Sequence, residues 1–225
     1  MTETVKVQRS FREKIRALYH ELYRAFGPQN WWPGDSPFEI MVGAILTQNT
    51  RWENVHRTLT DIKQEGILSP HNLLRHRRRI PRLIRRSGFY HVKSRRLIAY
   101  LKYFVGSYNG DAALMQQKDC TALRKELLGV EGIGRETADC ILLYALSHPV
   151  FVIDAYTRRI FSRHAFFAYN APYDELQQSF HDTLPKDAKV YNEYHALLVR
   201  LGKGYCKKNE PRCAVCPVRD TVALS

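Results

Sequence analysis

Two glycines separated by one residue, Gly132 and Gly134, interrupt a helical apolar pattern and most constrain how this 225-residue chain can fold. The segments 120–128 before them and 135–147 after them both have the apolar spacing of helices. Glycine permits a positive φ and a close approach of the backbone to a ligand. The turn leads into a helix N-terminus, where N–H groups favour an anion. The pattern predicts either a helix-hairpin-helix that contacts a phosphate through Gly132, Gly134 and Arg135, or a tight turn between two packed helices.

Helical signals run through the whole chain, whereas the alternating pattern of β-strands is scarce. Ser36 precedes Pro37, and Glu39 follows at the third helical position, which is a capping box. The same type of start recurs at Thr50 and at Ser69. We therefore predict an all-α fold with no internal repeat and no low-complexity linker. The predicted helices cover about residues 8–25, 36–47, 51–64, 90–106, 120–128, 135–147, 155–164, 172–182 and 188–202, with a further start at Ser69.

The formal charge of the chain is strongly positive, at +13. From Arg75 to Arg96 there is no acidic residue, and arginine recurs throughout this stretch, which also contains Lys93. Such a stretch can neutralise several DNA phosphates, although it also suits a solvated helix face. Nucleic acid is thus the first candidate partner, and an anionic membrane is the second. No apolar run reaches the roughly 20 residues of a membrane span and residues 1–6 lack the apolar stretch of a signal peptide, so we expect a soluble, intracellular protein.

Four segments of the chain form a recognisable combination. They are Leu46–Thr50, Gly132–Ala138, Val152–Asp154 and Cys206–Cys216. Together they resemble the endonuclease III superfamily of DNA glycosylases, and the resemblance covers nearly the whole chain.

The resemblance implies two all-α lobes with an active-site cleft between them. One lobe would comprise residues 36–170, with the helix-hairpin-helix at about 120–147. The other would comprise residues 1–35 and 171–225, with a cysteine loop at 206–222.

Asp154 falls where the superfamily keeps its catalytic aspartate. The resemblance implies a carboxylate that stabilises an oxocarbenium-like sugar or activates the water that attacks it. Asp154 is also a natural N-cap for a helix that begins at Ala155, a role worth about 1 kcal/mol. The two roles are compatible.

Glu136 occupies the position where members that also nick the strand carry a lysine. That lysine forms a Schiff base with the sugar, which a carboxylate cannot do. We therefore expect a monofunctional glycosylase with Asp154 and Glu136 in its catalytic site. The spacing of Lys125 and Lys203 does not indicate that either residue replaces the missing lysine. Glu136 could equally be a solvent-facing acid in a first helical turn.

Aromatic residues surround the first predicted helix start, with Trp31, Trp32 and Pro33 before it and Trp52 on the following helix. With Glu136, this combination resembles the 3-methyladenine DNA glycosylase III branch of the superfamily. In that branch aromatic residues sandwich a flipped alkylated purine. The resemblance implies that Trp31 and Trp52 stack on the base with Trp32 and Pro33 beside them, although one of two adjacent indoles usually belongs to the core.

An alkylated purine suits such a pocket because alkylation at a ring nitrogen makes the base cationic. Electron-rich ring faces attract a cation by about 0.5–2 kcal/mol, and the Glu136 carboxylate would add to this attraction. Flipping the base costs a few kcal/mol, and damage lowers that cost. By resemblance, Gln48 would fill the gap in the duplex with Asn49 as a further DNA contact; the alternative for Gln48 is a polar residue at a helix end.

The chain has five cysteines, an odd number that argues against a disulfide framework. Cys206, Cys213 and Cys216 match three of the four positions of the family's iron–sulfur loop, and thiolates at this spacing hold such clusters. The fourth family position is Val222, which cannot coordinate iron. The resemblance therefore implies either a 4Fe–4S cluster with three cysteine ligands or no cluster.

A ligand other than cysteine would have to complete a metal site in this loop. Asp220 or water could complete an iron–sulfur cluster. Zinc is the weaker alternative, with His195 or Asp220 as a fourth group. Cys120 and Cys140 are expected to be ordinary buried thiols.

Two other functions fit parts of the pattern. One is an endonuclease III-like glycosylase and AP lyase for oxidised or mismatched pyrimidines. The other is a non-catalytic helix-hairpin-helix DNA-binding protein. The favoured prediction is a monomeric base excision repair enzyme that acts on double-stranded DNA containing damaged bases, in the cytoplasm and associated with the nucleoid.

Overall fold

The computed structural model describes residues 3–221, with side chains from residue 12 onward. All regular structure in this range is helical and none of it is β-strand, which confirms the predicted all-α fold. No described helix combines the length and the apolar character that crossing a bilayer requires. The α-helices are α1 (Glu3–Phe26), α2 (Pro37–Leu46), α3 (Trp52–Gln64), α4 (Pro70–Arg75), α5 (Ile80–Leu83), α6 (Tyr90–Tyr108), α7 (Ala112–Gln116), α8 (Cys120–Leu128), α9 (Arg135–Cys140), α10 (Ala155–Arg163), α11 (Tyr173–His181) and α12 (Ala188–Gly204).

The described chain forms two compact units. Trp32–His148 form one, called the middle unit here. The described residues up to Trp31 and from Pro149 onward form the other, called the terminal unit. The predicted helices are all present, and the short helices α5 and α7 are additional.

Of the four predicted cap residues, Ser36, Ser69 and Asp154 cap their helices and Thr50 does not. The Ser36 hydroxyl accepts a hydrogen bond from the third residue of α2 at 3.2 Å, and Ser69 caps α4 in the same way at 3.4 Å. Thr50 does not cap α3, because α3 has Arg51 at its N-cap and no side-chain cap hydrogen bond. The preceding Asn49 has a φ of +54°, so the chain turns sharply there and α3 begins one residue later than predicted.

The arginine-rich stretch of the middle unit forms a series of short helical pieces and not one basic helix. 3₁₀ turns at Arg77–Arg79 and Arg85–Ser87 flank α5. The arginines of both turns are exposed, while Ile80 and Ile84 are fully buried. The stretch is therefore anchored by isolated apolar residues and presents its charge to solvent.

Lys93 is an exception within this stretch, because it is buried and not part of the charged surface. Its Nζ donates to the carbonyl oxygens of Leu46 at 2.7 Å and Ser87 at 2.6 Å. Burial, together with the positive charge of Arg96, lowers the pKa of Lys93 to about 8. Lys93 thus fixes the end of α2 to the turn before α6.

In the middle unit, α2 packs against α3, α6 and α9. The residues that follow α9, Ile141–Ala145, continue it as a π-helical turn. Such wider turns are often found at functional sites. Met41, Leu101 and Phe104 are fully buried in this unit.

In the terminal unit, α12 packs against both α1 and α10. The buried Tyr194 hydroxyl donates to the carbonyl oxygen of Ile15 at 2.8 Å. The rings of Phe151 and Phe180 stack with centroids 4.0 Å apart. This core therefore joins helices from the two ends of the chain.

Helix α10 belongs to the terminal unit, whereas the predicted lobe 36–170 had included it. Arg159 of α10 donates to the carbonyl oxygens of Cys206 at 2.7 Å and Gly202 at 3.0 Å. A Cβ at Gly202 would overlap the ring of Tyr156, so α10 lies directly against α12. This close packing explains why the second boundary falls after His148 and not at 170.

Candidate functional site

The turn between α8 and α9 has the predicted helix-hairpin-helix geometry. Gly132 has a φ of +81°, and a Cβ there would overlap the Cγ of Arg96, so the position requires glycine. Gly134 has a φ of −88° and open space around a Cβ, so its backbone does not require glycine. Ile133 is buried and anchors the turn. No side chain caps α9, which leaves its N-terminus, with the exposed Arg135, suited to an anion.

Gln48 connects the hairpin to α6 through the two polar atoms of its amide. Its Nε2 donates to the carbonyl oxygen of Gly132 at 3.2 Å and to Oγ1 of Thr137 at 2.9 Å. Its Oε1 accepts from Nη1 of Arg96. Gln48 is half-buried, whereas Asn49 is exposed. The structure thus brings Gln48 together with the hairpin, and it adds Arg96, which the sequence had placed only within the basic stretch.

Glu136 lies in the first turn of α9 and is exposed. An acid in this position is favoured by the helix dipole. The next residue, Thr137, is buried. Glu136 belongs to the middle unit, and Asp154 belongs to the terminal unit.

Asp154 is the N-cap of α10, as predicted. Its Oδ1 accepts hydrogen bonds from the backbone N–H of Thr157 at 2.7 Å and from Oγ1 of Thr157 at 2.9 Å. Its Oδ2 lies 3.7 Å from Nε2 of His195 on α12. The Asp154 side chain is therefore held by two helices of the terminal unit.

The surroundings of Asp154 keep its carboxyl group ionised. Only 8% of Asp154 and 4% of His195 are exposed. Burial alone would raise the pKa of Asp154, but His195 and the hydrogen bonds from Thr157 outweigh burial and hold this pKa below its usual value. From the sequence, His195 was predicted only as a zinc ligand. No local pattern indicates its role beside Asp154, because the two residues meet only through the packing of α10 on α12.

Two of the predicted pocket residues contact each other in the middle unit. The indole of Trp32 meets that of Trp52 edge-on, with centroids 5.1 Å apart and an interplanar angle of 88°. Tyr144 packs on Trp32 at 5.3 Å. A Cβ on Gly43 would lie 3.3 Å from Nε1 of Trp32, so glycine leaves room for the indole pair. Pro33 is exposed beside this aromatic cluster.

Trp31 belongs to the terminal unit and lines a different cavity. This cavity has a volume of about 370 Å³, and its lining includes Gln29, Trp31, Arg200 and Lys203. The Lys203 Nζ lies 6.0 Å from the centre of the Trp31 ring. The described lining residues include two cations and no acid.

The cysteine loop after α12 is held by two arginines of α10. Arg163 donates to the carbonyl oxygens of Lys207 and Lys208, the latter at 2.7 Å. The same guanidinium lies 3.3 Å from Sγ of Cys206. With the Arg159 bond to the Cys206 carbonyl, these contacts fix the start of the loop to α10.

The three cysteines of the loop do not form a ready metal site. Cys206 is buried, Cys216 is half-buried and Cys213 is exposed. Burial raises the pKa of the Cys216 thiol, and the nearby thiols of Cys206 and Cys213 add to the rise. Within residues 3–221, no three Cys, His, Asp or Glu side chains converge to hold a metal ion. Val222 lies outside the described residues, and a valine supplies no donor, so the residues do not fit a four-thiolate cluster.

Phe89 is an exposed aromatic residue that none of the sequence motifs indicates. It is 69% exposed and has a φ of +47°. It follows Gly88, which has a φ of +69°, at the start of α6. Arg85 and Arg86 are exposed just before it. An exposed aromatic ring beside arginines is typical of surfaces that stack on nucleic-acid bases.

Comparison with known families and proteins gives a consistent assignment. The family model described as HhH-GPD superfamily base excision DNA repair protein matches residues 42–186. A protein of Methanocaldococcus jannaschii, described as a candidate DNA repair glycosylase, is 44% identical over 210 residues, which cover 92% of this chain and 95% of the relative. Endonuclease III of Thermotoga maritima is 27% identical over 203 residues, which cover 90% of this chain and 89% of the relative.

Two solved structures resemble the fold. A non-covalent endonuclease III–DNA complex has a TM-score of 0.78 and 22% identity, and the match covers 92% of both chains. The H. pylori 3-methyladenine DNA glycosylase bound to 1,N6-ethenoadenine has a TM-score of 0.71 and 27% identity, with 86% of this chain and 97% of that chain covered. The first likeness concerns the fold alone.

Proposed function

Because the chain belongs to the HhH-GPD superfamily of base excision DNA repair proteins, a family of DNA glycosylases, we propose that it is a monofunctional glycosylase that hydrolyses the bond between a damaged base and its sugar. The observation that carries this proposal is the ionised, buried carboxylate of Asp154 at the start of α10. Asp154 is the last residue of the Val152–Asp154 motif, which follows the helix-hairpin-helix along the chain.

Asp154 acts on the sugar in this proposal. As the base leaves, the sugar becomes oxocarbenium-like and carries positive charge. A carboxylate in buried surroundings stabilises that charge more strongly than one in water. Oδ1 is engaged by Thr157, so Oδ2 is the oxygen assigned to the sugar or to the attacking water. His195 holds the pKa of Asp154 low, which keeps the carboxylate charged near neutral pH.

The absence of a lysine at position 136 supports hydrolysis without strand cleavage. Glu136 cannot form the imine on which a lyase depends. Helix α9 itself, Arg135–Cys140, contains no lysine. We assign to Glu136 a supporting role in the catalytic site through its negative charge.

Duplex DNA is the proposed partner. The uncapped N-terminus of α9, with Gly132, Gly134 and Arg135, would bind a backbone phosphate. The exposed arginines of the stretch before α6 would contact further phosphates. Phe89 is placed to stack on a base or enter the duplex. Asn49, exposed beside Gln48, is a further proposed contact.

The proposed substrate is an alkylated purine. The aromatic cluster of Trp32 and Trp52, with the exposed Pro33, offers ring faces and edges for a flipped base. The 27% identity to a 3-methyladenine DNA glycosylase bound to 1,N6-ethenoadenine supports this class. Trp31, which the sequence resemblance had also implied for the base pocket, lines the separate cavity of the terminal unit.

The cavity at Trp31 favours a second candidate within this class, a neutral alkylated purine. A cation already lies over the Trp31 ring, because Lys203 is 6.0 Å from its centre, and Arg200 lines the same cavity. Two positive charges repel a cationic base such as 3-methyladenine, whereas a neutral adduct with acceptor nitrogens can accept hydrogen bonds from them. A test of substrate class should therefore compare cationic lesions with neutral ones.

A glycosylase assay on duplexes with defined lesions tests the proposal. The panel contains 3-methyladenine, 1,N6-ethenoadenine, an oxidised pyrimidine and a thymine mismatch. We expect release of an alkylated purine and no borohydride-trapped protein–DNA adduct. Release of oxidised pyrimidines with a trapped adduct would favour the endonuclease III-like lyase. Tight DNA binding without release of any base would favour a non-catalytic binding module.

A 4Fe–4S cluster held by Cys206, Cys213 and Cys216 is a separate proposal. It would need a fourth ligand, such as Asp220 or water, in place of Val222. Iron analysis and a visible absorbance spectrum of the purified protein test it. The predicted monomeric state and nucleoid association await sedimentation and imaging experiments.

A further inference from the structure

The segment that leads to Asp154 is buried although it belongs to no helix or strand. Residues 149–154 have no regular secondary structure, and Phe151, Val152 and Ile153 are at most 1% exposed. Buried backbone N–H and C=O groups need hydrogen-bond partners. A helix supplies such partners within itself and a strand finds them on its neighbour, so the partners of this segment have to come from elsewhere in the fold.

One face of α11 supplies these partners. The Phe151 N–H donates to Nε2 of His181 at 2.9 Å, and Nε2 of Gln177 donates to the Phe151 carbonyl oxygen at 2.6 Å. The Ile153 N–H donates to the hydroxyl oxygen of Tyr173 at 3.2 Å. We call the side chains of Tyr173, Gln177 and His181 the α11 row. All of these residues lie in the terminal unit.

The spacing of the α11 row explains how a helix can serve an extended segment. Its residues stand four positions apart, so they share one face of α11. Four residues of α-helix advance by about 6 Å and two residues of extended chain by about 6.6 Å, so the two repeats nearly match. The α11 row thus takes the place of a neighbouring β-strand for Phe151 and Ile153.

Ring packing holds the α11 row against the segment. The ring of His181 stacks on that of Tyr191 from α12, with centroids 5.4 Å apart and an interplanar angle of 8°. Tyr191 in turn meets the ring of Phe151 edge-on at 5.6 Å. Gln177 and Tyr173 are both buried. The row and the segment are therefore fixed relative to each other by side chains of two helices.

Asp154 follows this fixed segment directly. Its Oδ1 accepts from Thr157 of α10, and its Oδ2 faces His195 of α12. These contacts hold the side chain, whereas the bond from Ile153 to Tyr173 holds the main chain one residue before it. The position of the carboxylate is therefore set from both sides along the chain.

We infer that Tyr173, Gln177 and His181 are positioning residues that set the place of the Asp154 carboxylate for base release. The inference rests on the proposed function, because it assigns a task to the proposed catalytic carboxylate. A displacement of about 1 Å at a reacting group can cost on the order of 10²-fold in rate. Loss of one bond of the α11 row should therefore slow the chemical step and leave DNA binding in place.

Two tyrosine variants separate positioning from a general loss of stability. Tyr173→Phe removes only the hydroxyl that accepts from the Ile153 N–H. Tyr194→Phe is the matched control, because it removes the same atom and one buried hydrogen bond of the same unit, but that bond goes to Ile15 of α1. Urea unfolding should show similar losses in the free energy of unfolding for both variants.

A second pair of variants tests rescue at the other end of the row. His181→Phe keeps a ring beside Tyr191 but removes the nitrogen that accepts from the Phe151 N–H. His181→Gln keeps an acceptor, the amide oxygen, at a similar distance from the main chain. Base release should fall in His181→Phe and recover in His181→Gln. This pair gives the decision if Tyr173→Phe does not fold.

The rate of base release is measured in single turnover at saturating protein, on the lesion that the unaltered protein releases. We expect a fall of about tenfold for Tyr173→Phe and no change for Tyr194→Phe. Affinity for an undamaged duplex should stay the same in both variants. In Tyr173→Phe alone, the acid side of the pH–rate profile should move to higher pH, because a shifted Asp154 loses part of the contacts with Thr157 and His195 that keep its pKa low.

Amide hydrogen exchange, followed by NMR, observes the α11 row without any assay of activity. The N–H groups of Phe151 and Ile153 should exchange slowly in the unaltered protein. In Tyr173→Phe the exchange at Ile153 should become faster than the loss of overall stability accounts for. In Tyr194→Phe it should follow overall stability.

Equal rates of base release in Tyr173→Phe and Tyr194→Phe would overturn the inference, and so would fast exchange at Ile153 in the unaltered protein. Failure of His181→Gln to recover the rate lost in His181→Phe would also count against it. These results leave the proposed glycosylase standing. If the unaltered protein releases no base from any lesion, the proposed function falls and the positioning role falls with it, even where slow exchange at Ile153 shows that the row is formed.

Discussion

The hairpin of the middle unit and the cysteine loop of the terminal unit are both held by arginines, but in opposite ways. At the hairpin, Arg96 binds a side-chain amide and covers a glycine, while no side chain caps the following helix. At the loop, Arg159 and Arg163 bind backbone carbonyl oxygens of the loop itself. The hairpin thus leaves a helix N-terminus open to an external ligand. The cysteine loop is instead bound by α10 of the same unit.

This difference suggests a division of labour. The groups proposed to bind DNA lie in the middle unit, and the proposed catalytic carboxylate lies in the terminal unit at the start of α10. Substitutions in the two regions should therefore alter different measurements. Binding should respond to the hairpin, and the chemical step should respond to Asp154 and its neighbours and, in its supporting role, to Glu136 of the middle unit.

The largest expected effect is that of Asp154→Asn. Asparagine is as good an N-cap as aspartate, so the free energy of unfolding should change little. Base release should fall by about 10²- to 10⁴-fold, because the charged group at the sugar is lost. Single-turnover base release and DNA affinity, measured together, check this prediction. A parallel loss of affinity would contradict the division between the units.

Gly132→Ala should be the most damaging single change at the hairpin. The positive φ and the contact with Arg96 make the alanine strained, at a cost of about 1–3 kcal/mol. DNA affinity should fall with little change in the rate at saturation. Gly134→Ala is the matched control, because its φ and its open surroundings accept a Cβ and the cost should stay within about 0.5 kcal/mol. For both variants, urea unfolding measures the stability and fluorescence anisotropy measures the DNA affinity. Equal effects of the two substitutions would show that the hairpin geometry does not cause the loss of affinity.

His195→Asn should change the pH dependence of the chemical step. His195 lowers the pKa of Asp154 against the effect of burial, so its removal should raise that pKa. Because Asp154 must be ionised to act, activity would then be lost at a higher pH on the acid side of the profile. A rise of one unit in the pKa of Asp154 corresponds to about tenfold less activity at any pH below the pKa values of both proteins. Rates between pH 4 and 8 test this, and hairpin variants should leave the profile in place.

The smallest expected effect is that of Arg163→Met in the terminal unit. The variant loses exposed hydrogen bonds to the loop carbonyls, which together contribute about 1 kcal/mol. Cleavage by trypsin after Lys207 or Lys208 should become faster, because the loop is no longer bound to α10. Cys213→Ser serves as the comparison, since Cys213 is exposed and should change stability little. If Cys213→Ser destabilises the loop more than Arg163→Met does, then a metal and not the arginines holds it.

Features set by neighbours along the chain were predictable from the sequence. Ser36 and Ser69 cap their helices, and Asp154 caps α10, because a cap depends on residues two or three positions away. The glycine turn of the hairpin belongs to the same class. Thr50 failed as a cap because Asn49 takes a left-handed conformation that the local pattern does not reveal.

Features set by tertiary packing were not predictable. Lys93 lies in an arginine-rich stretch, yet it is buried because the carbonyl oxygens of Leu46 and Ser87 come from other segments. His195 meets Asp154 only when α12 packs on α10. For the same reason the separation of Trp31 from the Trp32–Trp52 pair, in different units, is invisible in the run Trp31–Trp32.

The joining of both chain ends in the terminal unit has a consequence for synthesis on the ribosome. The apolar side chains of Ile15, Leu18 and Leu22 are fully buried in the finished fold, and α1 packs against α12. At a translation rate of about 5–20 residues per second, α1 waits on the order of ten seconds for α12 to emerge. The middle unit can fold during that interval, while α1 keeps an apolar surface exposed. Nascent chains that stop before α12 are therefore expected to be the aggregation-prone products of this protein.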